Sequence, residues 1–153
     1  MLYIVDLDGT ICNCAHRLHY IGADSTWCVV SKKDWEGFYE AAVHDAPIYE
    51  VIAVVRALYD AGHTVVVSTG RPLNHSRSAL DWLQKYRVYN HGLYMRDTGD
   101  HREDYIVKEE LLNKIIQRWP KETIGGAFED REQVVAMYRR RGIKVFQVAE
   151  GKF

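Results

Sequence analysis

The run Met1-Leu2-Tyr3-Ile4-Val5-Asp6-Leu7-Asp8-Gly9-Thr10 opens the chain and decides its fold. Residues 1–5 are apolar and read as a short strand, and the acids and glycine that follow end the extended run. Two carboxylates so placed at a strand's C-terminal end, with a glycine behind them to free the backbone, suit a divalent cation and phosphoryl chemistry. Taken alone, the string is also an ordinary Asp-Gly turn with solvated acids. What raises it above that reading is the pattern at the other strand ends.

Outward from this run, strand and helix alternate. Ile48, Val51, Ile52, Val55, Leu58 and Tyr59 recur at helical spacing until Gly62, which predicts an amphipathic helix and its stop. Residues 63–68 are rich in β-branched side chains and predict a strand, which Thr69-Gly70-Arg71-Pro72 breaks. Helices over 76–86, 104–119 and 132–141 and strands over 92–95, 123–128 and 143–148 complete the series. Such alternation predicts right-handed crossovers and an α/β three-layer sandwich, a mostly parallel five-stranded sheet with helices on both faces. Ligands of these sheets lie beyond the strands' C-terminal ends, where Asp6, Asp8, Thr69, Glu129 and Asp130 would converge. Residues 12–47 interrupt the alternation, carry Trp27, Trp35, Phe38 and Tyr39, and include a possible short helix over 34–43. They read as a small cap insert after strand one that restricts water and selects substrate.

Lys108 leads a helical stripe continued by Leu111, Leu112, Ile115 and Trp119, so it is expected to face the sheet. A snorkelling stem is the plain reading, but a cluster of carboxylates needs cationic balance, and a phosphate bound among them needs more.

Composition sets the bounds. The 153 residues suit a single domain spanning 1–153, and 47% hydrophobic with 27% charged residues is enough to pack a core and stay dissolved. Lys plus Arg at 20 against Asp plus Glu at 21 gives a formal charge of -1, so any nucleic-acid contact has to be local. Cys12, Cys14 and Cys28 leave a thiol unpaired in any disulfide scheme, and the chain opens without a secretory-type leader. Both suit a reducing cytoplasm. No apolar run approaches the roughly 18 residues of a membrane span.

Asp6-Leu7-Asp8-Gly9-Thr10, Ser68-Thr69-Gly70-Arg71, Lys108 and Glu129-Asp130 stand in the order of the four motifs of the haloacid dehalogenase (HAD) superfamily of phosphatases, which the chain resembles over nearly its whole length. The resemblance implies a HAD-like Rossmannoid fold and a magnesium-dependent phosphatase working through an aspartyl-phosphate. It makes Asp6 the nucleophile and Asp8 the general acid that later activates water. Thr69 would bond the phosphoryl oxygens, Lys108 would steady Asp6 and the phosphate, and Asp6, the Asp8 carbonyl and Asp130 would hold Mg2+. Gly70 and Arg71 in the second motif fall to substrate binding. The segments Gly99-Asp100-His101-Arg102-Glu103-Asp104, Val107-Lys108-Glu109-Glu110 and 129–149 resemble more closely the phosphatase domain of bacteriophage polynucleotide kinase-phosphatases. That family removes 3′-phosphates from nucleic-acid ends. It implies a phosphorylated nucleic-acid end or nucleotide as substrate, the cytoplasm as setting, that of the host if the chain is phage-encoded, and Arg102 as a contact for a non-transferred phosphate. The chain lacks a G-x-x-x-x-G-K-[ST] string, so no kinase domain is expected in it, and Glu129 stands where the family has Asp.

Two other readings compete with end processing: a phosphatase for nucleotides or other small metabolites, and a non-catalytic binding module. A module would be free to lose Asp6, Asp8, Thr69, Lys108 or Asp130, and all are present. Cys12, Cys14, His16 and His19 offer zinc donors at a spacing unlike the usual structural sites. Arg71, Arg77, Arg96 and Arg102 fall near the predicted edge, each either a surface charge or a phosphate contact.

Overall fold

The structure, a computed structural model, describes residues 1–23 and 32–151. Strand β1 (Leu2–Val5) is the centre of a parallel five-stranded sheet. Strand β2 (Cys12–Asn13) opens the insert, which continues through a 3-10 turn (Ala15–Ile21), helix α1 (Trp35–Glu40) and a second 3-10 turn (Ala41–His44). It closes with β3 (Ala46–Pro47), antiparallel to β2. The helix expected over 34–43 is therefore split: Asp34 caps α1 by accepting from Gly37 N at 2.9 Å, and the α-helix tightens to 3-10 from Ala41.

The rest follows the predicted order: α2 (Tyr49–Asp60), β4 (Thr64–Pro72), α3 (Ser76–Lys85), β5 (Leu93–Arg96), α4 (Asp104–Arg118), β6 (Ile124–Arg131), α5 (Glu132–Arg140) and β7 (Val145–Gly151). The sheet order is β5-β4-β1-β6-β7, and every pairing is parallel. This is the three-layer α/β fold the alternation predicts. Each inner strand divides its residues between two cores by its period of two. Val5, Val65 and Val67 meet Ile52 and Val55 of α2 and Trp82 of α3, while Leu2, Ile4 and Val66 meet Leu112 and Ile115 of α4 and Met137 of α5.

β7 outruns its predicted end, reaching Gly151, and so do the two strands that carry motif residues. β4 continues through the Thr69-Gly70-Arg71 segment to Pro72, and β6 continues through Glu129-Asp130 to Arg131. Pairing is irregular at both places, between Thr69 and Pro72 against β5 and between Glu129 and Arg131 against β7. The motif residues therefore sit where extended chain bulges, which re-aims their side chains at the sheet's carboxyl edge. Trp27 and Cys28 lie outside the described residues. Among the described residues no helix is long and apolar enough to cross a membrane.

Leu112 is fully buried between α4 and the sheet. Leu112→Ala is expected to lower stability by about 2–5 kcal/mol, the usual cost of a large-to-small change in a packed core, read as a lower urea midpoint.

Candidate active site

Asp6 follows Val5 at the end of β1 and lies on the side of the strand that faces α4. Its Oδ1 accepts from Lys108 Nζ at 2.6 Å and its Oδ2 from Thr10 Oγ1 at 3.3 Å. Lys108 is sealed from solvent, as its place on the apolar stripe predicts, and also donates to Glu129 Oε2 at 2.7 Å. The other Glu129 oxygen, Oε1, accepts from the backbone N–H groups of Asp130 and Arg131, both at 3.2 Å. Asp130 stands beside this pair. Its Oδ2 would lie 2.1 Å from a Cβ on Gly9, whose φ is +81°, so a glycine is required there on two counts.

Asp8 is held differently. Arg17 Nη2 donates to its Oδ1, and Arg71 donates from Nη2 to Oδ1 at 2.5 Å and from Nε to Oδ2 at 3.1 Å. Both arginines also bond Asp45, Arg17 from Nε at 2.7 Å and Arg71 from Nη2 at 3.0 Å. Arg17 comes from the insert and Asp45 from its exit, so this buried cluster ties the insert to the sheet's carboxyl edge. Trp82 Nε1 of α3 fixes the Asp45 carbonyl at 2.9 Å.

A third cluster supports the Thr69-Gly70 turn. Arg96 donates from Nε to Gly70 O at 2.8 Å, from Nη1 to Arg102 O at 2.7 Å and from Nη2 to Asp104 Oδ1 at 2.9 Å. A Cβ on Gly70 would sit 2.3 Å from Asp104 Oδ1, and Arg131 Nη1 lies 3.3 Å from Asp104 Oδ2. Thr69 is buried, its hydroxyl accepting from Arg71 N at 3.2 Å.

These clusters line one side of a cavity of about 840 Å³ that includes Asp6, Asp8, Lys108 and Arg131. Trp35 and Tyr39 of the cap line it as well. Of the four arginines expected near the edge, Arg71 and Arg96 are buried within the clusters, because their long stems complete the core while their heads bond carboxylates and carbonyls. Arg77 is exposed and pairs with Asp81. Arg102 is on the cavity wall with its guanidinium bonded to Asp100 and Glu110, so an incoming phosphate has to displace a carboxylate from it. The possible zinc donors do not converge. Cys12 packs in the main core, Cys14 with Ile21 and Phe38, and His16 bonds Asp45 at 2.9 Å.

Electrostatics separate the two aspartates. Burial, then the charge of Glu129, pushes the Asp6 carboxyl up to about 8, although Lys108 opposes the rise. Glu129 is pushed to about 7 by burial and Asp130 to about 6 by burial and Asp6. Burial also acts against the charge of Asp8, but Arg71 and Arg17 outweigh it and hold its carboxyl well below the usual range. Lys108 stays charged: burial disfavours its ammonium, and Asp6 and Glu129 more than compensate.

The residues present fit a divalent cation. Asp6, Asp8, Asp45, Asp104, Glu129 and Asp130 face Arg17, Arg71, Arg96, Lys108 and Arg131, an excess of one acid. Ligand oxygens of Asp6, Glu129 and Asp130 lie within 4.8 Å of one another, and Asp130 Oδ1 is buried with no hydrogen-bond partner among the described residues. Glu129 spends both oxygens on Lys108 and the backbone, whereas Asp130 Oδ1 is unpartnered and Asp6 Oδ2 is held only by the 3.3 Å bond from Thr10, so these two oxygens are the most open to a metal.

Arg17, Asp45 and Asp104 are site residues that sequence reasoning missed. Asp104 alone carried a signal, one helical turn before Lys108 on the same stripe. Arg17 and Asp45 sit in the irregular insert, where no periodicity marks a buried face.

A parallel sheet with paired acids after its central strand, a buried lysine and a further acid at a neighbouring strand end defines a HAD-type phosphatase. Within that class, the chain matches over residues 1–153 the family described as "Polynucleotide kinase PNKP phosphatase domain", and it belongs to that family. Chains in two structures of the Pnkp1/Rnl/Hen1 complex, one described as an RNA repair complex, are 32% and 31% identical. Their TM-scores are 0.79 and 0.78, each match covering 99% of this chain and 47% and 43% of those chains. A protein of Autographa californica nuclear polyhedrosis virus, described as a bifunctional polynucleotide kinase/RNA ligase, is 26% identical over 118 residues, or 76% of this chain and 17% of the viral protein. The chain thus spans less than half the length of these relatives. D,D-heptose 1,7-bisphosphate phosphatase from B. bronchiseptica, complexed with magnesium and phosphate, shares the fold at 16% identity and a TM-score of 0.63, covering 99% of this chain and 83% of that one.

Asp6, Glu129 and Asp130 hold their protons more tightly in the folded protein than in the unfolded chain. In metal-free protein their contribution to stability is therefore complete below about pH 4 and is lost as pH rises toward 8. Asp8 has the opposite sign, and its contribution is already present throughout that window. Urea unfolding of metal-free protein is expected to show stability falling by a few kcal/mol between about pH 5 and 8, with Asp6→Asn flattening the slope.

Proposed function

We propose that this chain is a magnesium-dependent phosphomonoesterase that removes a 3′-phosphate from a nucleic-acid end, with Asp6 as its nucleophile. The observation that carries the reading is the Lys108 ammonium fixed 2.6 Å from Asp6 at a cavity floor that also holds Asp8. The cation favours the ionised, nucleophilic form of Asp6 and stands ready to bond a phosphoryl oxygen as charge develops. Asp6, Asp130 and the Asp8 carbonyl would hold Mg2+, which when bound supplies the positive charge that the excess of acids leaves wanting and steadies the phosphate.

The Asp6 carboxylate attacks phosphorus, the bond from phosphorus to the ester oxygen breaks, and that oxygen takes a proton from Asp8. Water then attacks the aspartyl-phosphate, Asp8 accepts its proton, and inorganic phosphate leaves with Asp6 restored. In the substrate-free site Asp8 is charged and doubly paired, so to act as acid it takes up a proton from solvent as substrate binds, once phosphoryl oxygens compete for the hydrogen bonds of Arg71 or Arg17. Thr69 and Gly70 shape the phosphate turn, and Arg102 at the wall is the proposed contact for a non-transferred phosphate.

The nucleic-acid assignment rests on the family and on the aromatic cap in the cavity wall, and the description of one similar structure as an RNA repair complex favours RNA ends. The free, buried Cys12 and Cys14 suit a reducing compartment such as the cytoplasm.

Asp6→Asn is expected to abolish turnover while the fold persists, because the amide keeps the shape and loses the nucleophilic charge; appreciable residual turnover would exclude the aspartyl-phosphate route. Chelation should stop the reaction and added magnesium restore it. The substrate is identified by kcat/KM on 3′-phosphorylated RNA and DNA oligonucleotides, their 5′-phosphorylated counterparts and free mononucleotides. The 3′-phosphorylated ends should lead, and a clear preference for free mononucleotides would move the assignment to a nucleotide phosphatase.

A further inference from the structure

Helix α1 has 6 residues, too few to hold itself together, so its shape comes from its anchors. Phe38 is buried beneath it, with the Arg17 guanidinium 4.1 Å from its ring centroid and its carbonyl accepting from Arg17 Nη1 at 3.1 Å. Since the same arginine bonds Asp8, α1 is tied directly to the catalytic edge. A second tie runs to the core through His75, whose ring lies 5.5 Å from that of Tyr39 and whose Nε2 is 3.2 Å from Glu36 Oε1.

On this fixed support Trp35 remains 37% exposed. Tyr39 stacks against it at 5.9 Å with an interplanar angle of 24°, and both rings line the cavity that holds Asp6 and Asp8. Lys33 Nζ, on an exposed side chain, lies 5.6 Å from the Trp35 ring centroid. An aromatic ring held rigid, backed by a second ring and approached otherwise by a displaceable lysine, is a surface for another flat π-system. The catalytic centre in the same cavity supplies the phosphate that such a ligand carries.

We propose that Trp35, backed by Tyr39, is the platform on which the base nearest the scissile phosphate stacks, and that it accepts any base. This rests on the nucleic-acid reading above and adds the subsite that selects for it. Stacking uses the face common to all bases, so discrimination among them is small, while loss of the base or of the ring weakens binding about 5- to 100-fold.

The test uses binding, so that turnover does not enter. Kd is measured in Asp6→Asn and in Asp6→Asn/Trp35→Ala for a 3′-phosphorylated oligonucleotide and for its counterpart with an abasic terminal residue. The first variant is expected to prefer the base-bearing ligand about 5- to 100-fold, with A, C, G and U alike within a few-fold; the second should show no preference, and Trp35→Phe should restore part of it. The proposal is overturned if Asp6→Asn shows no preference for the base, or if the preference survives removal of Trp35. Failure of the enzyme to hydrolyse 3′-phosphorylated ends would refute the reaction assigned above and leave this comparison standing, because the ligands are scored by affinity alone.

Discussion

A buried charge is tolerable only when its partners are buried with it, and the carboxyl edge of this sheet is organised around that constraint. Lys108 lies between Asp6 and Glu129, Arg17 and Arg71 lie between Asp8 and Asp45, and Arg96 spans Asp104 and the Gly70 carbonyl. Each group binds segments far apart in the chain, so the site forms only when the sheet has formed. Removing one member strands its partners in a low-dielectric setting, which is more damaging than the pair is stabilising. The stability of the edge is that of a network, with the apolar cores beneath supplying the net driving force.

Much of this was legible because two periodicities do most of the encoding. Period two sorts Val5, Val65 and Val67 from Ile4 and Val66, and period 3.6 places Lys108 on the stripe of Leu111 and Ile115. Short motifs at strand ends then follow from the parallel order. The strand limits were less legible, since Gly70 and Pro72 in one segment and Glu129 and Asp130 in the other signal a break in sequence, while β4 and β6 absorb them through irregular pairing. Least legible was the insert. Its buried residues are scattered through 3-10 turns and a short helix, so Arg17 and Asp45 carry no pattern that separates them from solvated charges.

The same comparison explains the fate of the arginines. A basic residue near the end of an element is usually solvated, and Arg77 and Arg102 are exposed, as that expectation has it. Arg71 and Arg96 depart from it because each can satisfy several buried acceptors at once with the planar fork of a guanidinium, which a lysine ammonium would match poorly.

Arg17 touches two things that a cap would ordinarily keep apart, the carboxylate of Asp8 and the ring of Phe38. A ligand that changes the hydrogen bonding of Asp8 therefore changes what α1 is held by, and the effect runs equally in reverse. Thermodynamic reciprocity makes the order of the insert and the affinity of the neighbouring cavity for any ligand that engages Asp8 a single coupled quantity.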